Sequence, residues 1–236
     1  MPSPEQATSP KPERMIEIAG LKTTVVGPAD APLTLVLLHG YAMRPSDLSP
    51  FAHSLGVPAL FLVPQGPLVS PLGGNAWWEV DLDAREAAIS QGPRDLTNDY
   101  PAGLAAARHV LARFLDTVTM ELRPRRLILG GFSQGGMLSL DFVLRGSRPV
   151  DGLVLLSASR LAVREWQPHR TQLRNLPVFI GHGEDDQDLA FAAGEGLRDF
   201  VLESEARVTW VPFSGGHEIP LVVWRGLRKF LTALLK

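Results

Sequence analysis

The sequence predicts an α/β fold, a mostly parallel central sheet with helices on both faces and no large lid domain. Three observations predict it. Short continuous apolar runs recur along the 236 residues, each closed by Gly, Pro or a polar residue. Stretches with apolar residues at helical spacing lie between these runs. One run ends in Gly131-Phe132-Ser133-Gln134-Gly135, and a helical pattern opens directly after it. Runs this short suit strands buried on both faces. Strands alternating with helices give a layered α/β domain, whose chemistry sits at the carboxyl ends of the strands.

The elements follow in order. Ile16, Ile18 and Leu21 to Val26 form one or two opening strands around Gly20. Leu33 to Leu38 runs into His39-Gly40, and Ala59 to Val63 into Pro64-Gln65-Gly66. Arg126 to Leu129, Gly152 to Leu156, Val178 to Ile180 and Val208 to Val211 complete the strands. Leu104, Ala107, Leu111, Phe114, Leu115, Val118 and Leu122 share one helical face, between Pro101 and Pro124. Met137 to Leu144 and Leu189 to Leu202 read as further helices. Trp224, Leu227, Leu231 and Leu234 form a last stripe after Pro220, which packs inward or serves a homodimer. Pro64 to Asn98 is the longest irregular region, and long loops in compact domains are often functional.

Composition bounds the function. With 45% apolar and 20% charged residues, the chain can bury the core of one domain. A net charge of -2 gives no reason to expect nucleic acid or an anionic membrane as partner. The absence of cysteine excludes disulfides, thiolate catalysis and Cys-ligated metals. Met1 to Glu13 carries four prolines and no apolar core of signal-peptide type. Residues 1–14 are therefore expected to be a flexible tail, 15–236 a single domain, and the compartment cytoplasmic. No apolar run approaches the ~20 residues that a membrane helix needs, so an integral membrane protein is not expected.

Gly131 to Gly135 is a G-x-S-x-G pentapeptide in a strand–turn–helix context, the form of a nucleophile elbow. Such a turn strains the backbone at Ser133 and aims its hydroxyl away from the sheet. A serine hydroxyl is a poor nucleophile until a base takes its proton, and the base needs an acid to fix its tautomer. On an elbow of this type the partners follow in the order Ser, acid, His. His169 has no strand before it, and His182 precedes nearly every acid candidate. His217 follows the run Val208 to Val211 through a Gly-containing loop, which makes it the candidate base. Glu184, Asp185, Asp186 and Asp188 compete as the acid after Val178 to Ile180. We rank Asp186 first, Asp188 second and Asp185 third, although spacing alone does not separate them. The cluster lacks the glycine and distal glutamate of a Ca²⁺-binding EF-hand loop. Backbone N–H groups of Gln134 and Tyr41 are the candidate oxyanion donors. His39 reads as a brace for the Tyr41 loop. No Lys-Ser/Thr follows Gly135, and no G-x-G-x-x-G or H-E-x-x-H is present, so phosphate-loop, dinucleotide and zinc-protease readings fail.

Leu38-His39-Gly40, Gly131 to Gly136, His182-Gly183-Glu184-Asp185-Asp186 and Gly216-His217-Glu218-Ile219-Pro220 together resemble the phospholipase/carboxylesterase family of α/β hydrolases. That group contains small carboxylesterases, lysophospholipases and acyl-protein thioesterases. The resemblance runs over nearly the whole chain from about Leu33 and implies the α/β-hydrolase fold. It implies Asp186 as the acid, Tyr41 and Gln134 as oxyanion donors, and Trp77-Trp78-Glu79 as an element lining the substrate pocket. Tyr41-Ala42-Met43-Arg44 replaces a small Gly-containing loop common in the family, and Gln187 stands where proline is common. The expected activity is cofactor-free serine carboxyl-ester hydrolysis of short- to medium-chain esters, with no metal. Lysophospholipase or acyl-thioesterase activity is the alternative. A non-catalytic binding module on the same fold is the alternative from another class.

Overall fold

The computed structural model describes residues 13–146 and 149–236. Its elements are β1 (Glu13–Ile18), β2 (Leu21–Val26), β3 (Leu33–Leu38), α1 (Ser49–Ser54) and β4 (Ala59–Pro64). A small hairpin, β5 (Leu68–Val69) and β6 (Asn75–Ala76), precedes α2 (Leu82–Ile89) and α3 (Leu104–Leu122). Then come β7 (Leu127–Phe132), α4 (Gln134–Arg145), β8 (Gly152–Leu156), α5 (Val163–Trp166) and β9 (Pro177–Gly183). The chain closes with α6 (Phe191–Glu203), β10 (Arg207–Phe213) and α7 (Leu221–Ala233).

Eight strands form one sheet in the order β1-β2-β4-β3-β7-β8-β9-β10. Only β1 with β2 and β2 with β4 pair antiparallel; the remaining neighbours are parallel. This is the α/β-hydrolase architecture that the sequence predicts. Strand β1 opens at Glu13, inside the tail expected over 1–14, because its ladder with β2 begins at the Glu13–Val26 pair. The rest of that tail, 1–12, lies outside the described residues.

Consecutive strand side chains alternate between two cores. Val36 and Leu38 of β3 join Leu129, Leu155 and the buried faces of α3, α4 and α6. Leu35 and Leu37 join Ile128, Val154 and the buried residues of α1 and α7. Continuous apolar runs thus mark strands covered on both sides. Trp224, Leu227 and Leu231 are buried in the second core, so the stripe on α7 packs inward. Among the described residues, no helix is long and apolar enough to cross a membrane.

The region Pro64 to Asn98 departs from its irregular reading. It holds the β5–β6 hairpin and α2, an eight-residue helix with no buried residue. Asp81 starts that helix by accepting the N–H of Ala84 at 2.9 Å, a standard N-cap contact. The strand order reverses at β3, with β4 on one side and β7 on the other. A ligand crevice is expected outside the carboxyl ends at such a point. The loops after β3, β7, β9 and β10 carry Tyr41, Ser133, Asp186 and His217 respectively.

Candidate active site

Ser133 stands between β7 and α4 with φ 50 and ψ -116. A non-glycine residue in this region stores roughly 1–3 kcal/mol of strain, held by its surroundings. Here the Ser133 N–H donates to the Leu156 carbonyl at 2.8 Å, and its own carbonyl accepts Met137 N–H at 3.0 Å. Close approach explains the flanking glycines. A methyl on Gly131 would lie 2.4 Å from the Gly135 carbonyl carbon, and one on Gly135 would lie 2.3 Å from the Leu38 oxygen. Both obstacles are backbone and have nowhere to move. Gly135→Ala is therefore expected to cost roughly 1–3 kcal/mol of unfolding free energy, toward the upper end. Urea denaturation measures this; an unchanged midpoint would refute the close-packing argument.

His39 braces the loop after β3, as expected. Its Nε2 accepts the Gly66 N–H at 2.8 Å, which leaves the proton on Nδ1, 2.7 Å from the Gly40 carbonyl. Burial holds its pKa below the ordinary value, against the opposing pull of the Gly40 carbonyl and Asp47. The imidazole is thus a neutral strut. Its carbonyl accepts the Trp77 indole N–H at 3.0 Å, and the two rings lie 5.4 Å apart. The loop itself is held by the β5–β6 hairpin, where Asn75 N–H donates to the Met43 carbonyl at 2.8 Å.

The two tryptophans separate. Trp78 lines the cavity that contains Ser133, but Trp77 does not. The pocket role expected for Trp77 is therefore corrected: it is 2% exposed and packs behind the loop against His39. The two lie in a bend directly after β6, and only Trp78 reaches the cavity wall. The Gln134 side chain clamps this segment, accepting the Trp77 N–H at 2.8 Å and donating to the Trp78 carbonyl at 3.0 Å. That clamp was not visible in the sequence.

His217 and Asp186 meet. His217 Nδ1 lies 2.7 Å from Asp186 Oδ2. The other carboxylate oxygen accepts the N–H groups of Asp188 and Leu189, each at 2.9 Å. Burial alone pushes the Asp186 carboxyl up. The hydrogen bond and charge of His217, with the two backbone donors, outweigh it and hold the group below its ordinary value. Backbone contacts stitch the two loops together: Glu184 N–H to the Phe213 carbonyl at 2.8 Å, and Asp185 N–H to the Gly215 carbonyl at 3.0 Å. Gly215 has φ 155, a conformation that favours glycine. His182 lies buried, its Nε2–H donating to the Leu189 carbonyl at 3.0 Å.

The rival carboxylates go elsewhere. Glu184 and Asp185 are exposed. Asp188 pairs with Arg85 and Arg94. Ser133, His217, Tyr41, Gln134, Phe132 and Trp78 line one cavity of about 290 Å³. The Phe132 and His217 rings stand 4.8 Å apart. Among the described residues, the Tyr41 and Gln134 N–H groups donate to no other backbone carbonyl. Gln134 opens α4, so its N–H lies at the positive end of the helix dipole. A larger groove of about 790 Å³ adjoins the cavity and shares Trp78, Val80, Arg85, Arg94 and Leu96 with it.

Residues 22–235 match the family model described as Phospholipase/Carboxylesterase. The chain belongs to the phospholipase/carboxylesterase family. Membership makes it a serine hydrolase with ester substrates. It is 24% identical over 226 residues to acyl-protein thioesterase 1 of Emericella nidulans, covering 86% of this chain and 90% of that protein. It is 28% identical over 205 residues to acyl-protein thioesterase 1 of Mycosarcoma maydis, covering 77% and 81%. Among solved structures, esterase PE8 superposes with a TM-score of 0.75 at 22% identity, covering 91% of this chain and 99% of that one. Zea mays acyl-protein thioesterase 2 gives 0.73 at 24% identity, with the same coverage. At these identities the superpositions establish the shared fold.

Proposed function

We propose that this family member is a carboxylesterase for short- to medium-chain esters, working through Ser133, His217 and Asp186. The observation that carries the reading is the 2.7 Å contact of His217 Nδ1 with a buried carboxylate, at a cavity that also holds the elbow serine. With Nδ1 committed to Asp186, Nε2 is the ring nitrogen left to take the Ser133 proton. Ser133 Oγ attacks the ester carbonyl, and the Tyr41 and Gln134 N–H groups receive the oxyanion. His217 then protonates the leaving alcohol. Water, deprotonated by the same imidazole, releases the acid from the acyl-enzyme. Every charge change in this cycle falls on Ser133, His217 or the oxyanion held by the Tyr41 and Gln134 N–H groups, so it calls for no cofactor.

A cavity of about 290 Å³ suits a short acyl chain, being at the lower end of usual ligand pockets. Acyl-thioester or lysolipid hydrolysis is the second reading. It draws on the adjoining groove, which would extend the site for a longer chain, and on the names of the relatives. An acyl-chain-length series on one chromogenic leaving group separates the two. A fluorophosphonate probe tests the common step. Wild-type protein should label covalently and Ser133→Ala should not; folded wild type that fails to label would favour a non-catalytic binding module.

A further inference from the structure

The cavity wall carries a charge that ester hydrolysis as such does not use. The Asp188 carboxylate is gripped from two sides. Arg85 Nη2 donates to Oδ2 at 2.6 Å, and Arg94 donates to Oδ1 through Nε at 3.1 Å and through Nη2. All three side chains line the same cavity as Ser133 and His217, and among the described residues no other Lys, Arg, Asp or Glu does. Two guanidiniums facing one carboxylate leave one positive charge in excess. Each guanidinium has five N–H donors in a planar fork suited to carboxylates. Asp188 engages only some of them, and the Arg85 and Arg94 side chains remain 28% and 17% exposed.

Bracing the acid loop does not account for this pair. The backbone already joins that loop to the Arg94 segment, through Arg94 N–H to the Asp188 carbonyl and Ala190 N–H to the Arg94 carbonyl, both at 2.9 Å. Arg85 stands on α2, a helix with no buried residue. What α2 brings to the cavity is a second cation.

We infer that Arg85 and Arg94, which leave one positive charge in excess over Asp188, receive a carboxylate carried by the substrate, so that the favoured substrates are esters with one free acid group. The adjoining groove is lined by Glu79, Asp81, Asp95 and Asp99, which repel further negative charge. The class is thus small monoanionic esters rather than polyanions. This deepens the Ser133–His217–Asp186 reading and rests on it.

The acid group can sit on the acyl side or on the alcohol side. The probes are therefore 4-nitrophenyl hydrogen glutarate against 4-nitrophenyl valerate, and 4-carboxyphenyl butyrate against phenyl butyrate. Each pair gives a ratio of kcat/KM, charged over neutral, in which any general loss of activity cancels. Arg85→Gln should lower the ratio for at least one pair by about 10–100-fold, or about 1.4–2.8 kcal/mol at 1.4 kcal/mol per decade, mainly through KM. Arg85→Lys should restore part of it. Asp188→Asn, which removes the competing carboxylate, should raise the same ratio. The pair that responds identifies the side carrying the acid. Ratios within about twofold of wild type in Arg85→Gln for both pairs, or a fall in Asp188→Asn, would overturn the inference while ester hydrolysis persists. Absence of Ser133-dependent turnover on every ester would instead overturn the reading on which it rests.

Discussion

Replacing Ser133 with alanine is expected to lower kcat on 4-nitrophenyl butyrate by about 10⁴–10⁶-fold, the scale seen when a serine-protease nucleophile is removed. The substitution deletes one oxygen. It leaves the elbow unchanged, because alanine meets the same backbone restriction at φ 50 and the bond from residue 133 N–H to the Leu156 carbonyl does not involve the side chain. The variant should therefore fold as wild type and bind substrate with similar affinity. Residual turnover would come from the oxyanion donors and from binding, which sustain about 10³–10⁴-fold over water when a triad is broken. The pre-steady-state burst of nitrophenolate should vanish, since no acyl-enzyme forms. Stopped-flow measurement on a circular-dichroism-matched pair of proteins checks both. Wild-type rates in the variant would place the nucleophile elsewhere and remove the basis for His217 and Asp186.

How much of this was legible in the sequence follows from which constraints are local. The elbow is local: a helix cannot approach a strand this closely unless residues 131 and 135 lack a Cβ, so the glycines are written beside the serine. The strands were legible because burial on both faces demands continuous apolar runs, as in Leu33–Leu38. Helix α2 was not, since a helix with no buried residue has no apolar stripe to read. The difference between Trp77 and Trp78 was closed for another reason. The two residues have the same chemistry, only Trp78 lines the cavity, and the segment that carries them is held by Gln134, 56 positions from Trp78. The Arg85–Asp188–Arg94 cluster spans 103 positions and exists only once the excursion folds over the acid loop.

We propose Asp186 rather than Asp188 as the acid from their surroundings, not their spacing, and this reading gives the second large effect. Asp186→Asn is expected to reduce kcat by about 10⁴-fold, the loss caused by the equivalent change in a protease triad. The amide retains an oxygen that can accept the Leu189 and Asp188 N–H groups, so the loop keeps its shape. What changes is the atom facing His217. A carboxylate oxygen 2.7 Å from Nδ1 fixes the imidazole proton there and leaves Nε2 as the base. An asparagine N–H at that place favours a lone pair on Nδ1 and moves the proton to Nε2, where it blocks transfer from Ser133. The carboxylate also stabilises the imidazolium formed during attack, which an amide does not. In this reading Asp188 has neither function: its two oxygens accept donors from Arg85 and Arg94, and Asp186 is the carboxylate on His217 Nδ1. On a neutral ester, Asp188→Asn should therefore lose at least 100-fold less kcat than Asp186→Asn, an interval of about 2.7 kcal/mol in the barrier. Steady-state kinetics on the two variants reads this directly, and a deeper loss in the Asp188 variant would transfer the acid's role to that residue.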